Sequence, residues 1–221
     1  MIWLNGDFRS EGKISINDRG FLLGDGIFET ILVDRGHAFF LDAHLDRLRI
    51  GLATIKIDWR IDEKAIAGII GELFSVNKIS GLGAVRLTIS RGPGPRGLRM
   101  RGAVSSTSLL TISEFNPPKA SPADLIITEA IRPCDSIASR HKLTHYTDNI
   151  LAIGEAEAAG ADEAVMMNRF GRVACAAASN VFVIFGDGDV VTPPVEEGAL
   201  PGIVRDKLIG MPSQFVVERP V

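Results

Sequence analysis

Lys142, in the stretch RHKLTHYTDN, stands between a segment patterned as a strand and one patterned as a helix, with Arg140 two residues before it. An amine at the mouth of a strand, partly desolvated and near another cation, loses basicity and can act as a base or form a Schiff base. A solvated surface lysine is the plainer reading. A second candidate is Gly198–Arg205, GALPGIVR. A glycine-flanked entry into a helix presents backbone N–H groups and the positive dipole end, which together hold phosphate. It also describes an ordinary helix start. Arg47, with His44 and Asp46, is either part of a solvated helix face or a bidentate phosphate ligand. Arg91–Gly97, RGPGPRG, is a basic glycine-rich loop after a strand. It lacks the spacing of a dinucleotide fingerprint and the end of a P-loop. It reads as a mobile connection or as a loop whose arginine traps a substrate carboxylate. His141, His145 and Asp148 share a helical spacing, but no Glu follows the first His and no further strong ligand is evident, so no metal is expected. The nucleophile-elbow pattern Gly-x-Ser-x-Gly is absent from the sequence.

The elements that must position these groups follow from patterning. Asn5-Gly6 between Ile2–Leu4 and Phe8–Arg9 signals a hairpin. Gly26–Val33, Ala38–Phe40, Val85–Ser90 and Ser108–Ile112 read as strands. Asp42 can cap a helix to about Leu52, and a second helix fits Asp62–Val76, with Ile66, Ile69, Ile70 and Phe74 on one face. The proline-rich EFNPPKASP marks a boundary, giving an amino-terminal domain over 1–114, a linker over 115–122 and a carboxy-terminal domain over 123–221. The second half carries a strand at Leu125–Ala130 and an Ala-rich helix over Asp148–Ala159 that Gly160 ends. Strands follow at Glu163–Met167, Val173–Ala176, Val181–Phe185 and Val190–Thr192, with a turn at Gly186-Asp187-Gly188. Pro201 suits the first turn of a helix running to about Leu208. The fold class is α+β, in two halves.

Composition narrows the function. The 221 residues carry 24 Lys plus Arg against 27 Asp plus Glu, a net charge of −3, with 46% hydrophobic and 23% charged residues. This is globular composition rather than disordered. The slightly acidic balance disfavours a nucleic-acid partner. No apolar run approaches the roughly 20 residues of a membrane helix, and MIWLNGDF has no signal-peptide pattern. Two cysteines, Cys134 and Cys175, give neither a metal spacing nor a disulfide framework, and a cytoplasmic setting is expected.

In order along the chain stand GDGIFET (Gly24–Thr30), HLDRL (His44–Leu48), RGPGPRG, Lys142 with TDNILA, ACAAASNVF (Ala174–Phe182) and TPPVEEGALPGIVR (Thr192–Arg205). This series, covering nearly the whole chain, resembles the class IV, fold-type IV aminotransferases, which use pyridoxal 5′-phosphate (PLP). The family includes branched-chain aminotransferases, D-amino-acid aminotransferases and 4-amino-4-deoxychorismate lyase. The resemblance implies an amino-terminal α/β sandwich, a carboxy-terminal pseudo-barrel α/β domain, and a homodimer with the site near its interface. It implies that Lys142 carries the cofactor as a Schiff base and moves protons. It implies that Arg47 and the N–H groups of Ile203 and Val204 bind phosphate, and that Asn180 lies beside the ring. Phe28, Thr30, Arg91 and Arg96 fall at substrate positions.

Three departures from the family pattern bear on activity. Cys175 stands where relatives place the Glu that keeps the pyridine nitrogen protonated, and a thiol does not do this comparably. Phe28 and Arg96-Gly97-Leu98 stand where D-amino-acid aminotransferases have a Tyr and an Arg-x-His carboxylate trap. Relatives also continue beyond VVERPV, so the carboxy-terminal domain reads as incomplete. A weaker electron sink suits an elimination driven by aromatisation better than transamination. The expected activity is therefore conversion of 4-amino-4-deoxychorismate to 4-aminobenzoate and pyruvate. A branched-chain or D-amino-acid aminotransferase is the alternative, and a PLP-binding protein without turnover is the second.

Overall fold

The computed structural model describes residues 1–60, 62–100, 102, 105–117, 121–186, 188–211 and 216–221. The chain divides into two compact units, one of Met1–Pro118 with Lys142–His145, the other of Lys119–His141 with Tyr146–Val221. The expected second domain, 123–221, therefore gives up four residues to the first unit. Of the expected linker, 118–120 lie outside the described residues.

The first unit contains β1 (Ile2–Leu4), β2 (Asp7–Arg9), α1 (Arg19–Leu23), β3 (Gly26–Asp34), β4 (His37–Ala38), α2 (Leu41–Thr54), α3 (Glu63–Val76), β5 (Leu82–Ser90) and β6 (Thr107–Phe115). Its six strands form one antiparallel sheet in the order β2-β1-β6-β5-β3-β4. Asn5 and Gly6 both take positive φ, 51° and 102°, as a two-residue hairpin that follows the strand twist requires. β3 pairs along its full length with β5, from Gly26↔Ser90 to Asp34↔Leu82. With side chains alternating across the sheet, Ile27, Glu29, Ile31 and Val33 share one face and Phe28, Thr30 and Leu32 the other. The first set is entirely buried. Leu45, Leu48 and Leu52 of α2 and Ile66, Ile70 and Leu73 of α3 are buried with Ile31, Val33, Val85, Leu87, Ile89 and Leu110, as α2 packs on β3 and α3 on β6. Each such leucine or isoleucine contributes roughly 1.5–3 kcal/mol on burial.

Lys142–His145 joins this unit along the edge of β3. Phe28 N donates to Lys142 O at 2.9 Å and Thr144 N donates to Gly26 O at 3.0 Å, with Leu143 bridging Ile27. That register puts Lys142 opposite Phe28, on the face away from α2.

Several boundaries differ from the sequence reading. Asp42 lies inside the first turn of α2. The residue before that helix is Phe40, at φ 51°, with no side-chain cap, so the strand expected over Ala38–Phe40 ends at Ala38. α1 was not anticipated, although its ends carry recognisable signals: Asp18 accepts from Gly20 N at 2.8 Å and Gly24 closes it at φ 65°.

The second unit contains β7 (Leu125–Ile127), α4 (Ile137–Arg140), α5 (Thr147–Ala159), β8 (Glu163–Met167), β9 (Val173–Ala176), β10 (Val183–Ile184), β11 (Val190–Thr192), α6 (Ile203–Ile209) and β12 (Val216–Glu218). Two three-stranded mixed sheets form, β7-β8-β9 and β10-β11-β12. Ala152 and Ala156 of α5 pack with Ala164, Met166, Ala174, Cys175 and Ala177. Small side chains let the helix approach the sheet closely. Gly160 ends α5 at φ 72°. Pro201 lies before the cap residue of α6, Gly202, rather than in its first turn. The strands expected over Leu125–Ala130 and Val181–Phe185 contract to β7 and β10, and β12 was not anticipated. Asp187, of the expected Gly186–Gly188 turn, lies outside the described residues. No helix among the described residues is long and apolar enough to cross a membrane.

Candidate active site

Lys142 is half-buried beside two other cations of the first unit. Its Nζ lies 4.5 Å from the centroid of the Phe28 ring, and Arg86 Cζ lies 3.7 Å from the same centroid. Burial, then the charge of Arg47, lowers the Lys142 pKa to about 8; Arg86 adds to the shift and the Glu29 carboxylate opposes it. Such an amine is still mainly protonated at neutral pH but carries a far larger neutral fraction than an ordinary lysine, as a nucleophile or general base requires.

One residue along β3, Glu29 is 0% exposed. Arg47 Nε donates to its Oε1 at 2.8 Å and Nη2 to its Oε2 at 2.6 Å, with His44 Nδ1 2.8 Å from Oε2. Burial alone would raise the Glu29 pKa. Hydrogen bonds from His44 and Arg47, with their charges, outweigh it and keep the carboxyl below its usual range. His44 is therefore buried and committed, not part of a solvated face, and Arg47 is a bidentate ligand of a carboxylate of its own chain.

The sequence reading of Arg91 as a substrate ligand is corrected. Arg91 is buried, its Nε and Nη2 donate to Asp25 at 2.8 and 3.0 Å, and Nη1 and Nη2 donate to the carbonyls of Lys56 and Ile55. Arg19, also on Asp25, donates to the carbonyls of Gly97 and Arg99 and so pins the loop that was read as a mobile connection. Burial raises the Asp25 pKa, but hydrogen bonds from Arg91 and Arg19 bring it below the ordinary value. Arg96 is exposed on that loop. Thr30 is exposed on the Phe28 face, directly opposite Arg86.

In the second unit, Cys175 is buried on β9, paired across the sheet with Met166. Burial pushes its thiol up; Arg132 opposes the shift and Glu163 adds to it. The group is uncharged at neutral pH. Asn180 Nδ2 donates to Leu200 O at 2.9 Å. Its Oδ1 lies 2.0 Å from where a Cβ on Gly202 would stand, so only glycine fits there without displacing Asn180. Ile203, buried, and Val204, exposed, open α6 directly after Gly202, which has no side chain to occupy their N–H groups.

Each unit carries groups of the kind a phosphate-bearing pyridoxal needs. The first has the amine of low basicity; in the second, a side-chain-free helix entry stands beside an anchored Asn. Sequence reasoning missed Glu29 and Arg86. The alternation of β3 held a signal for Glu29, a charged residue in register with Ile27 and Ile31. Arg86, between Val85 and Leu87, occupies the opposite phase.

The class IV amino-transferase family model matches residues 26–221. A protein of Methanocaldococcus jannaschii that carries a provisional branched-chain-amino-acid aminotransferase name is 32% identical, across 100% of this chain and 78% of its own. The aminodeoxychorismate lyase of Bacillus subtilis is 30% identical, across 95% of this chain and 72% of its own. The PLP-bound form of a hypothetical aminotransferase from Mycobacterium tuberculosis matches at TM-score 0.85 and 21% identity, covering 100% of this chain and 81% of that one.

Proposed function

This chain belongs to the class IV amino-transferase family, whose members are PLP-dependent enzymes, and from that premise we propose that it is a lyase converting 4-amino-4-deoxychorismate to 4-aminobenzoate and pyruvate. Lys142 would be the residue to which PLP attaches, with Arg47 of the same unit binding phosphate. In the second unit, Asn180 and the N–H groups of Ile203 and Val204 would hold the cofactor, and Cys175 stands at the position where relatives place the carboxylate that serves its pyridine nitrogen. The chemistry that bound PLP supplies is that of an electron sink. The amine of Lys142, of lowered basicity, takes the proton from the amine-bearing carbon. The C–O bond at the neighbouring carbon breaks, enolpyruvate leaves and is protonated to pyruvate, and the ring becomes aromatic. Phe28 and Thr30 line the substrate. Arg86 receives one carboxylate, and the exposed Arg96 is the candidate for the second.

The observation that carries the lyase reading is the uncharged, buried Cys175. With no anion at that position the sink is weak, and aromatisation compensates for it in the elimination but not in transamination. Supplying aminodeoxychorismate in one assay, and L- and D-amino acids with 2-oxo acids in another, tests the reading. Amino-group transfer without 4-aminobenzoate would assign the chain to the aminotransferases instead. A homodimer is also proposed. Phe21, 76% exposed, with Leu22 and Leu23 on α1, and Leu98, 82% exposed, on the loop that Arg19 holds, are exposed apolar side chains of the kind an interface covers. Light scattering in solution reads the mass.

A further inference from the structure

The segment Phe28-Glu29 of β3 carries cations on both faces and one buried carboxylate. Lys142 and Arg86 lie over the Phe28 ring on one face. Arg47 and His44, from α2, bind Glu29, whose side chain has the opposite strand phase. Among the described residues of the first unit, Arg47, Glu29 and Arg86 act on the Lys142 amine, and His44 binds the carboxylate. Ordinary strand alternation would put an apolar side chain at position 29, as at 27 and 31. A fully buried charge costs several kcal/mol unless paired, so a structural role alone is better served by a hydrophobic residue.

We infer that Glu29 is a positioning residue for the reaction: its bidentate grip fixes the plane of Arg47, and its carboxylate is the counter-charge to the cations gathered near the Lys142 amine. The inference rests on the proposed role of Lys142 and Arg47 in holding the cofactor, but half of it is measurable without cofactor. Without the carboxylate, Arg47 would keep its charge and lose its orientation. Lys142 would face two cations with no compensating anion, and its proton affinity would fall.

The test uses Glu29→Gln, which keeps the shape and removes the charge. In the apo protein, the pH dependence of amine labelling at Lys142, read by mass spectrometry, gives its midpoint. The variant midpoint should lie about one pH unit below wild type. PLP, titrated separately, should bind about tenfold more weakly. A merely structural Glu29 would lower thermal stability and move neither. Should Glu29→Gln not fold, Arg47→Gln and the double variant Glu29→Gln/Arg47→Gln read the same effect, since the double variant leaves no buried charge unpaired. Its Lys142 midpoint should lie below that of Arg47→Gln alone. Equal Lys142 midpoints in the compared proteins would overturn the inference. A shifted midpoint in a protein that binds no PLP would uphold the electrostatic role and overturn the cofactor reading instead.

Discussion

Arg86 places its guanidinium carbon 3.7 Å from the centroid of the Phe28 ring. Stacking on an aromatic face fixes the plane of a guanidinium and leaves its N–H edge directed along the sheet surface. With Lys142 above the same ring, a fixed cation and an amine of reduced basicity share one face of β3.

Arg86 and Arg91 should therefore part company on substitution. Arg86→Gln should raise KM for a carboxylate-bearing amine about tenfold or more, with PLP loading unchanged. Arg91→Gln removes a buried partner of Asp25 and of two carbonyls, and should cost about 2–4 kcal/mol in urea unfolding while leaving KM near wild type. A KM effect confined to Arg91→Gln would reinstate the glycine-rich loop as the substrate trap.

Lys142→Met should trade function for stability. The folded-state pKa of about 8 lies below the ordinary 10.5, so the unfolded chain holds this proton more tightly than the folded one. The penalty is fully present below about pH 8 and fades as pH rises towards 10.5. The variant should lose all turnover and all borohydride-fixed pyridoxyl label. At pH 7 it should be more stable by about 2 kcal/mol, with the advantage closing by about pH 10.5. Thermal unfolding at pH 7, 9 and 10.5 gives the comparison.

Acid should reach the site through its carboxylates. Glu29 and Asp25 are both held below their ordinary values by hydrogen bonds that outweigh burial, from His44 and Arg47 in the first case and from Arg91 and Arg19 in the second. Depressed carboxylates stabilise the fold fully above the unfolded-state range, and that stability is lost as pH falls through their lower folded values. The midpoint of thermal unfolding should drop steeply below about pH 4.5 in wild type and less steeply in a folded Glu29→Gln variant. Parallel curves would mean that Glu29 does not titrate in that window.

Cys175→Glu asks what sets the reaction. A carboxylate beside the pyridine nitrogen should raise the single-turnover rate of conversion of the PLP form to the pyridoxamine form with an amino-acid donor. The elimination should change less. Cys175 packs among Ala164, Met166 and Ala174, so the larger charged side chain carries a desolvation and overpacking cost of about 1–3 kcal/mol. Circular dichroism must first establish folding. Faster transamination in the folded variant supports the lyase reading; an unchanged rate removes its main physical ground.

Much of this protein is determined by local sequence. The Asn5-Gly6 hairpin, the Leu45-Leu48-Leu52 and Ile66-Ile70 stripes, and the Gly160 stop each depend on φ preference or helical period within a few residues, so the sequence alone specifies them. The ordered motifs from Gly24 to Arg205 likewise pointed to the family and to Lys142. What the tertiary structure decided depends on partners far away in the chain. Arg91 and Arg96 look alike in RGPGPRG, but Asp25 takes the first into the interior and leaves the second exposed. Lys142 lies beyond the proline-rich boundary, yet pairs with β3, more than 110 residues earlier. His44 resembles a surface residue until Glu29 receives it. Burial and charge pairing are properties of neighbours in space, so the basicity of Lys142 could not be read from its flanking residues. It is set by burial first and then by the charges of Arg47, Glu29 and Arg86, which the sheet and α2 supply.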